Sequence, residues 1–192
     1  MLERKSNRLR DFDYAQRGAY FITTVVKGRQ NSFGDIENGT IRLTAYGKIL
    51  VDQWYWLHKQ YPNTALDEFV VMPNHFHGII KIVETGRDLS LQPTRPIQPN
   101  PKPLSELVGA FKTTTSKQIH QLGMLSFHWQ RSFYDRIIRN EDELNRIREY
   151  IRTNPVRWEL DIENNSRIAA RDGHRVSQRD NVQDYYDGIL QR

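Results

Sequence analysis

Two imidazoles one residue apart, His75 and His77, stand inside the apolar run VMPNHFHGII at positions 71–80. On a β-strand successive side chains alternate between faces, so both histidines emerge on one face and Phe76 on the other. Two ring nitrogens on a rigid strand can grip a divalent ion. The same spacing also suits a plain strand in which one ring bonds backbone and the other meets water. Farther along, YIRTNP (150–155) sets Tyr150 four residues before Asn154, one helical turn apart on a shared face. The Asn154 amide oxygen is a hard ligand. With two imidazoles it leaves coordination positions open, as a catalytic metal requires for a phosphate oxygen and water. Asparagine before proline is equally a common helix terminator. Tyr150 adds a phenol, a weak nucleophile at neutral pH because phenols titrate at about 10. It gains strength where a metal polarises the electrophile or a neighbour takes its proton. On a helix face a tyrosine also serves plain packing.

These groups need elements to hold them. AYFITTVV (19–26) is β-branched and aromatic and predicts a strand. Turn chemistry at Asn31-Ser32 and Asn38-Gly39 predicts a hairpin before a helix. The helix is AYGKILVDQWYWLHKQY (45–61), stopped by Pro62. ALDEFVVM and HFHGIIKIV predict two antiparallel strands joined tightly at Pro73-Asn74. Residues 84–103 carry Pro93, Pro96, Pro99, Pro101 and Pro103 without an aromatic, the composition of a flexible or polyproline-like linker. LSELVGAFKTTTSKQIHQL (104–122) has helical spacing with a β-branched middle, and FHWQRSFYDRIIR (127–139) predicts a strand or extended segment. In 140–154, Asn140 predicts an N-cap, Glu143 a capping box, and Pro155 the stop. The order β, β, α, β, β, linker, α, β, α implies an antiparallel sheet with helices packed on it, an α+β domain.

With 192 residues, of which 38% are hydrophobic, the chain suits one domain with solvated extensions. The expected division is a basic arm at 1–17, a catalytic domain at 18–158 and a polar extension at 159–192. Net charge is +5, from 28 Lys and Arg against 23 acids, and favours a polyanionic partner. Cysteine is absent, which excludes disulfides, thiolate nucleophiles and zinc–thiolate sites. No apolar run reaches signal-peptide or bilayer length. The expectation is a cytoplasmic, nucleoid-associated protein without a membrane partner.

Four stretches, SNRLRDFDYAQRGAYFITT, LDEFVVMPNHFHGII, LVGAFKTTT and WQRSFYDRIIRNEDELNRIREYIRTNPVRW, cover most of residues 6–164 outside the linker. In content and order they resemble the HUH single-tyrosine transposases, specifically the REP-associated tyrosine transposase group. The pairing of MPNHFHG with YIRTNP is the specific part of that resemblance. It implies a ferredoxin-like fold and makes His75 and His77 the metal pair, with Phe76 the bulky residue between them. It also makes Tyr150 the nucleophile and Asn154 the third ligand, at a position where related transposases can carry glutamine. The implied cofactor is Mg²⁺ or Mn²⁺, and manganese suits both imidazole and oxygen donors. The implied substrate is single-stranded DNA bearing hairpin-forming repeats, cleaved to a 5′-phosphotyrosine and a free 3′-hydroxyl, by a monomer or a homodimer.

Several residues are candidates for contacting such DNA. Arg4, Lys5, Arg8 and Arg10 can track phosphates, or form a solvated arm. Lys112 and Lys117 can do the same from AFKTTTSKQ, with Thr113, Thr114 and Thr115 as hydroxyl donors. Gln130 and Arg131 are further candidates, or parts of an exposed loop. Tyr134, a rival tyrosine in SFYDRIIR, either packs or contacts DNA. Two other readings compete with strand transfer: a hairpin-binding protein without turnover, and a metal-dependent hydrolase that uses activated water.

Overall fold

The computed structural model describes residues 14–83 and 101–164, together with Tyr186 and Gly188. The arm residues Arg4, Lys5, Arg8 and Arg10, and most of the proline-rich linker, lie outside the described residues. The elements run β1 (Gly18–Val25), β2 (Gly34–Glu37), β3 (Thr40–Leu43), α1 (Ala45–Gln60), β4 (Thr64–Val71), β5 (His75–Ile82), α2 (Leu104–Gln121), β6 (Tyr134–Ile138) and α3 (Glu141–Thr153). The main sheet has order β4-β5-β1-β6 with every pair antiparallel. Stripped of its additions, β1-α1-β4-β5-α2-β6 is the β-α-β-β-α-β unit of ferredoxin-like folds. The α+β expectation holds. The hairpin differs in one respect, because β2 and β3 pair only with each other and form a second, two-stranded sheet. Asn38 (φ 50°) and Gly39 (φ 72°) both take the left-handed conformation that a two-residue hairpin turn of this kind demands.

Alternation along the strands divides the core. Tyr20 and Ile22 of β1, with Phe76 and Ile80 of β5, point to the face covered by α1 and α2. Trp54 of α1 lies across Phe76 with ring centroids 4.8 Å apart, and Phe111 of α2 closes on both rings. Gly78 permits this packing, since a Cβ there would meet Phe76 at 2.7 Å and Trp54 at 2.9 Å. Phe21 and Ile79 point the other way, where α3 lays Leu144, Ile147 and Ile151 against them. The site lies on this second face.

Local chemistry sets the ends of the elements. Pro73-Asn74 makes the tight β4–β5 turn, with Met72 N–H donating to His75 C=O at 2.8 Å. α2 stays helical through Thr113–Thr115, and the Thr114 hydroxyl returns to the carbonyl of Ala110 one turn back. In α3 the Asn140 side chain accepts from Glu143 N–H at 2.8 Å. The Glu143 carboxylate accepts from the backbone N–H of Arg139 and from Arg136 Nε, thereby tying the helix start to β6. Of the segment expected to be extended at 127–139, only 134–138 is strand; the earlier part forms an isolated bridge, Trp129 to Val26, just past the end of β1. Among the described residues no helix is long and apolar enough to cross a membrane.

Candidate metal and nucleophile site

His75 and His77 are buried on β5, the strand between β4 and β1. In register, Val25 lies opposite His75 and Thr23 opposite His77. The two Nε2 atoms face each other at 3.0 Å. The outer nitrogens are occupied. Asn74 gives its NH₂ to the carbonyls of Arg29 and Glu163, at 3.0 and 2.8 Å. Its Oδ1 is therefore left to accept from His75 Nδ1 at 2.9 Å, which fixes the tautomer with the Nε2 lone pair inward. Thr23 Oγ1 stands 2.8 Å from His77 Nδ1, where its hydroxyl can accept from or donate to the ring. Burial holds both rings neutral. It lowers His75 to about 3, helped by the charge of Arg29. His77 is pushed well below its ordinary range by burial and by His75, against the opposing pull of Asp161.

When both Nε2 atoms are unprotonated, two lone pairs at 3.0 Å repel, and a cation between them reverses the sign. Two nitrogens at about 2.1 Å from one ion, roughly at right angles, would stand about this far apart. Other donors converge on the same place. Asp161 Oδ2 lies 3.9 Å from His75 Nε2, and His75, His77 and Asp161 offer ligand atoms within 4.8 Å of one another. The amide of Asn154 donates to Asp161 Oδ2 at 3.2 Å, while its own Oδ1 is buried without a hydrogen-bond partner. An orphaned buried carbonyl oxygen costs free energy unless something is there to take it. The donor set fits a divalent ion.

Asp161 is a residue that the sequence reading missed. It follows the 3-10 turn Pro155–Leu160, and its Oδ1 accepts from Glu163 N–H at 2.7 Å. Glu163 in turn pairs with Arg29 at 2.6 Å, almost wholly buried. Desolvation raises the Glu163 carboxyl, while Arg29 opposes that rise. Arg29 sits at φ 53°, a conformation rare outside glycine, and its carbonyl is one of the two that hold Asn74. The only signal in the sequence was the Asp161-x-Glu163 spacing.

Tyr150 projects from α3 to the same point, its hydroxyl 3.4 Å from His77 Nε2. Its ring packs edge-on to Phe21 and His77. The helix is pinned two residues earlier, where Arg148 forks onto Asp67 of β4 at 2.8 and 2.7 Å, and Lys81 joins the same carboxylate. Tyr186, from the segment expected to be a polar extension, is fully buried against Tyr134, Tyr150 and His77. Desolvation raises its phenol well above the ordinary value.

The structure thus gathers His75, His77, Tyr150 and Asn154, two pairs separated by more than 70 positions in the sequence, and adds Asp161. Of the candidate DNA contacts, Tyr134 lies beside this site, buried against Phe21 and Tyr186 and opposite Thr23 in register. Lys112 is half-buried, its ammonium donating to the carbonyls of Gln130 and Arg131, and burial lowers it to about 8. Lys117 and Arg131 are exposed.

No family model matches the chain. An uncharacterized protein of Haemophilus influenzae strain Rd is 35% identical over 164 residues, covering 82% of this chain and 91% of that protein. Among solved structures, a REP-associated tyrosine transposase bound to a REP hairpin superposes with a TM-score of 0.53 at 20% identity, over 87% of each chain. The chain belongs to the same family as the Haemophilus influenzae protein, and its α+β fold is that of the REP-associated tyrosine transposase.

Proposed function

We propose that this chain is a metal-dependent, transposase-like enzyme that nicks and rejoins single-stranded DNA beside a hairpin formed by a palindromic repeat. The observation that carries the reading is the Tyr150 hydroxyl at 3.4 Å from the inward Nε2 of His77, within a buried nest of His75, Asn154 and Asp161 donors. The fold likeness to a transposase bound to a REP hairpin supports the same class of reaction and substrate.

His75 and His77 would hold the ion through Nε2, with Asn154 Oδ1 and Asp161 Oδ2 as oxygen donors. A bound Mg²⁺ or Mn²⁺ supplies Lewis-acid polarisation of the scissile phosphate. Asn74 and Thr23, at the outer nitrogens, would keep both rings turned with their lone pairs inward once the ion is bound. Tyr150 Oη forms a bond to phosphorus as the bond to the 3′-oxygen breaks; the phenol gives up its proton and the departing oxygen ends as a 3′-hydroxyl. The 5′-phosphotyrosine conserves the energy of the broken phosphodiester, so a 3′-hydroxyl can attack it and reseal a strand. A fixed helix orients the phenol and removes much of the entropic cost of that attack.

The test is incubation of the full chain with hairpin-bearing single-stranded DNA and Mn²⁺, followed by denaturing electrophoresis for a covalent protein–DNA adduct. The expected result is an adduct that Tyr150→Phe abolishes together with nicking. Nicking that persists in Tyr150→Phe would identify a water-using hydrolase, and hairpin binding without any nick would identify a binding protein.

A further inference from the structure

The tautomer of His75 is decided two contacts away from its ring. Asn74 can offer His75 Nδ1 either its carbonyl oxygen or its NH₂ group, and the two ends of the amide have opposite consequences. With the oxygen toward the ring, as found, Nδ1 keeps the proton and the Nε2 lone pair faces His77. With the NH₂ toward the ring, Nδ1 must accept, and a proton on Nε2 would close the place where an ion binds. The choice is made on the far side of the amide. Arg29 C=O at 3.0 Å and Glu163 C=O at 2.8 Å both accept from the Asn74 NH₂. A turned amide would set its oxygen against two carbonyl oxygens.

These two carbonyls belong to the two partners of one ion pair. Arg29 Nε donates to Glu163 Oε2 at 2.6 Å across 134 positions of sequence, with both side chains largely enclosed. A buried pair of this kind gains little net stability, because desolvation offsets the attraction. Its backbone setting is costly as well: Arg29 at φ 53° follows Gly28 at φ 73°, and the left-handed region is unfavourable for a residue with a Cβ. Glu163 has a second task. Its N–H donates to Asp161 Oδ1 at 2.7 Å, while Asp161 Oδ2 stands 3.9 Å from His75 Nε2. The Asn74 main chain is fixed independently, its C=O accepting from Val26 N–H at 2.8 Å. What remains to be set at Asn74 is the direction of its amide.

We infer that the Arg29–Glu163 ion pair positions two of the metal donors at once: it fixes the tautomer of His75 through the Asn74 amide, and it aims the Asp161 carboxylate through the Glu163 N–H. Arg29 and Glu163 act through other side chains and are positioning residues. The inference rests on the proposed function for its reading of His75 and Asp161 as ion ligands.

The test uses the full chain, and its first readout needs neither metal nor DNA. In buffer containing EDTA, heteronuclear NMR of the histidine ring nitrogens should show parent His75 as one tautomer, protonated at Nδ1. Arg29→Gly/Glu163→Gln removes the ion pair, while glycine accepts the left-handed turn and glutamine leaves no buried charge unpaired. In this variant His75 should become a mixture of both tautomers, and calorimetry should show Mn²⁺ affinity lower on the order of 10- to 100-fold. Asn74→Ala, which leaves the ion pair and removes the relay, should give the same His75 mixture. Arg29→Lys, which keeps a cation opposite Glu163, should lose less Mn²⁺ affinity than the double variant. His120, whose Nε2 donates to Phe127 C=O at 2.8 Å outside this network, is the internal reference and should keep its parent signals. An unchanged His75 tautomer or unchanged Mn²⁺ affinity in the double variant would overturn the positioning role, as would a parent His75 protonated at Nε2. Changes at His120 as large as those at His75 would reveal general loosening and overturn it equally. A parent that binds no Mn²⁺ would overturn the ion site and its positioning together, whereas a parent that binds Mn²⁺ and never nicks DNA refutes the strand-transfer reading alone.

Discussion

The two faces of the sheet are made from the same strands and obey opposite rules. Beneath α1 and α2, β5 contributes Phe76 and Ile80 to an aromatic and aliphatic core whose stability comes from shape and burial. One residue away on the same strand, His75 and His77 are just as buried, and their rings meet polar, aromatic and charged partners. The first face is optimised for stability. The second keeps two neutral imidazoles, an orphaned amide oxygen and a carboxylate in close quarters, an arrangement that costs stability until something binds it.

Substitutions on the two faces should therefore separate stability from ion binding. The largest effect is expected from Phe76→Ala, which leaves a cavity against Trp54 and Phe111 and should cost about 3–5 kcal/mol in denaturant unfolding. Its neighbours should respond in the reverse sense. His75→Ala/His77→Ala should abolish Mn²⁺ binding by calorimetry and abolish nicking, while hairpin affinity stays within about tenfold, roughly 1.4 kcal/mol. A collapse of the fold comparable to that of Phe76→Ala would erase the proposed contrast.

Within the second face, Asn154→Ala and Asp161→Asn should each lower Mn²⁺ affinity on the order of 10- to 100-fold, with nicking recovered at raised Mn²⁺. Asn154→Gln should be milder than Asn154→Ala because it keeps the oxygen. Identical manganese titrations for the two Asn154 variants would reduce Asn154 to a helix terminator before Pro155. The smallest effect belongs to the latch that docks α3. Asp67→Asn should destabilise the fold by about 1–2 kcal/mol, a discounted value because the ion pair is partly exposed. Arg148, and less so Lys81, hold the folded Asp67 carboxyl well below its usual value. That contribution is present above the unfolded value of about 3.9 and fades as pH falls below it, so the parent and Asp67→Asn should converge in acid unfolding scans.

What was legible in the sequence follows the periods of the backbone. His75 and His77 could be placed on one face by the two-residue period of a strand, and Tyr150 with Asn154 by the turn of a helix. Asn38-Gly39 announced its hairpin because few residues accept two successive positive φ angles. The pairing partners of that hairpin were not legible, since a strand pattern does not say which edge it meets. Asp161 escaped for a related reason. It reaches the histidines after a 3-10 turn that breaks any periodic link to Asn154. Thr23 is an ordinary strand residue until the register brings it beside His77, and Asn74 an ordinary turn residue until the carbonyls of Arg29 and Glu163 orient its amide.

Thr23, the β5 histidines, the end of α3 and Asp161 come from four stretches spread over most of the domain, and they meet only when β1 has paired with β5 and α3 has docked. A ligand that needs all four discriminates sharply between folded and unfolded chains. By mass action, a ligand at 100 times its dissociation constant adds about 2.7 kcal/mol to the stability of the native state alone. Ion occupancy would then double as a check on completed folding, so that nucleophile and ion come together only on chains that have reached their final topology.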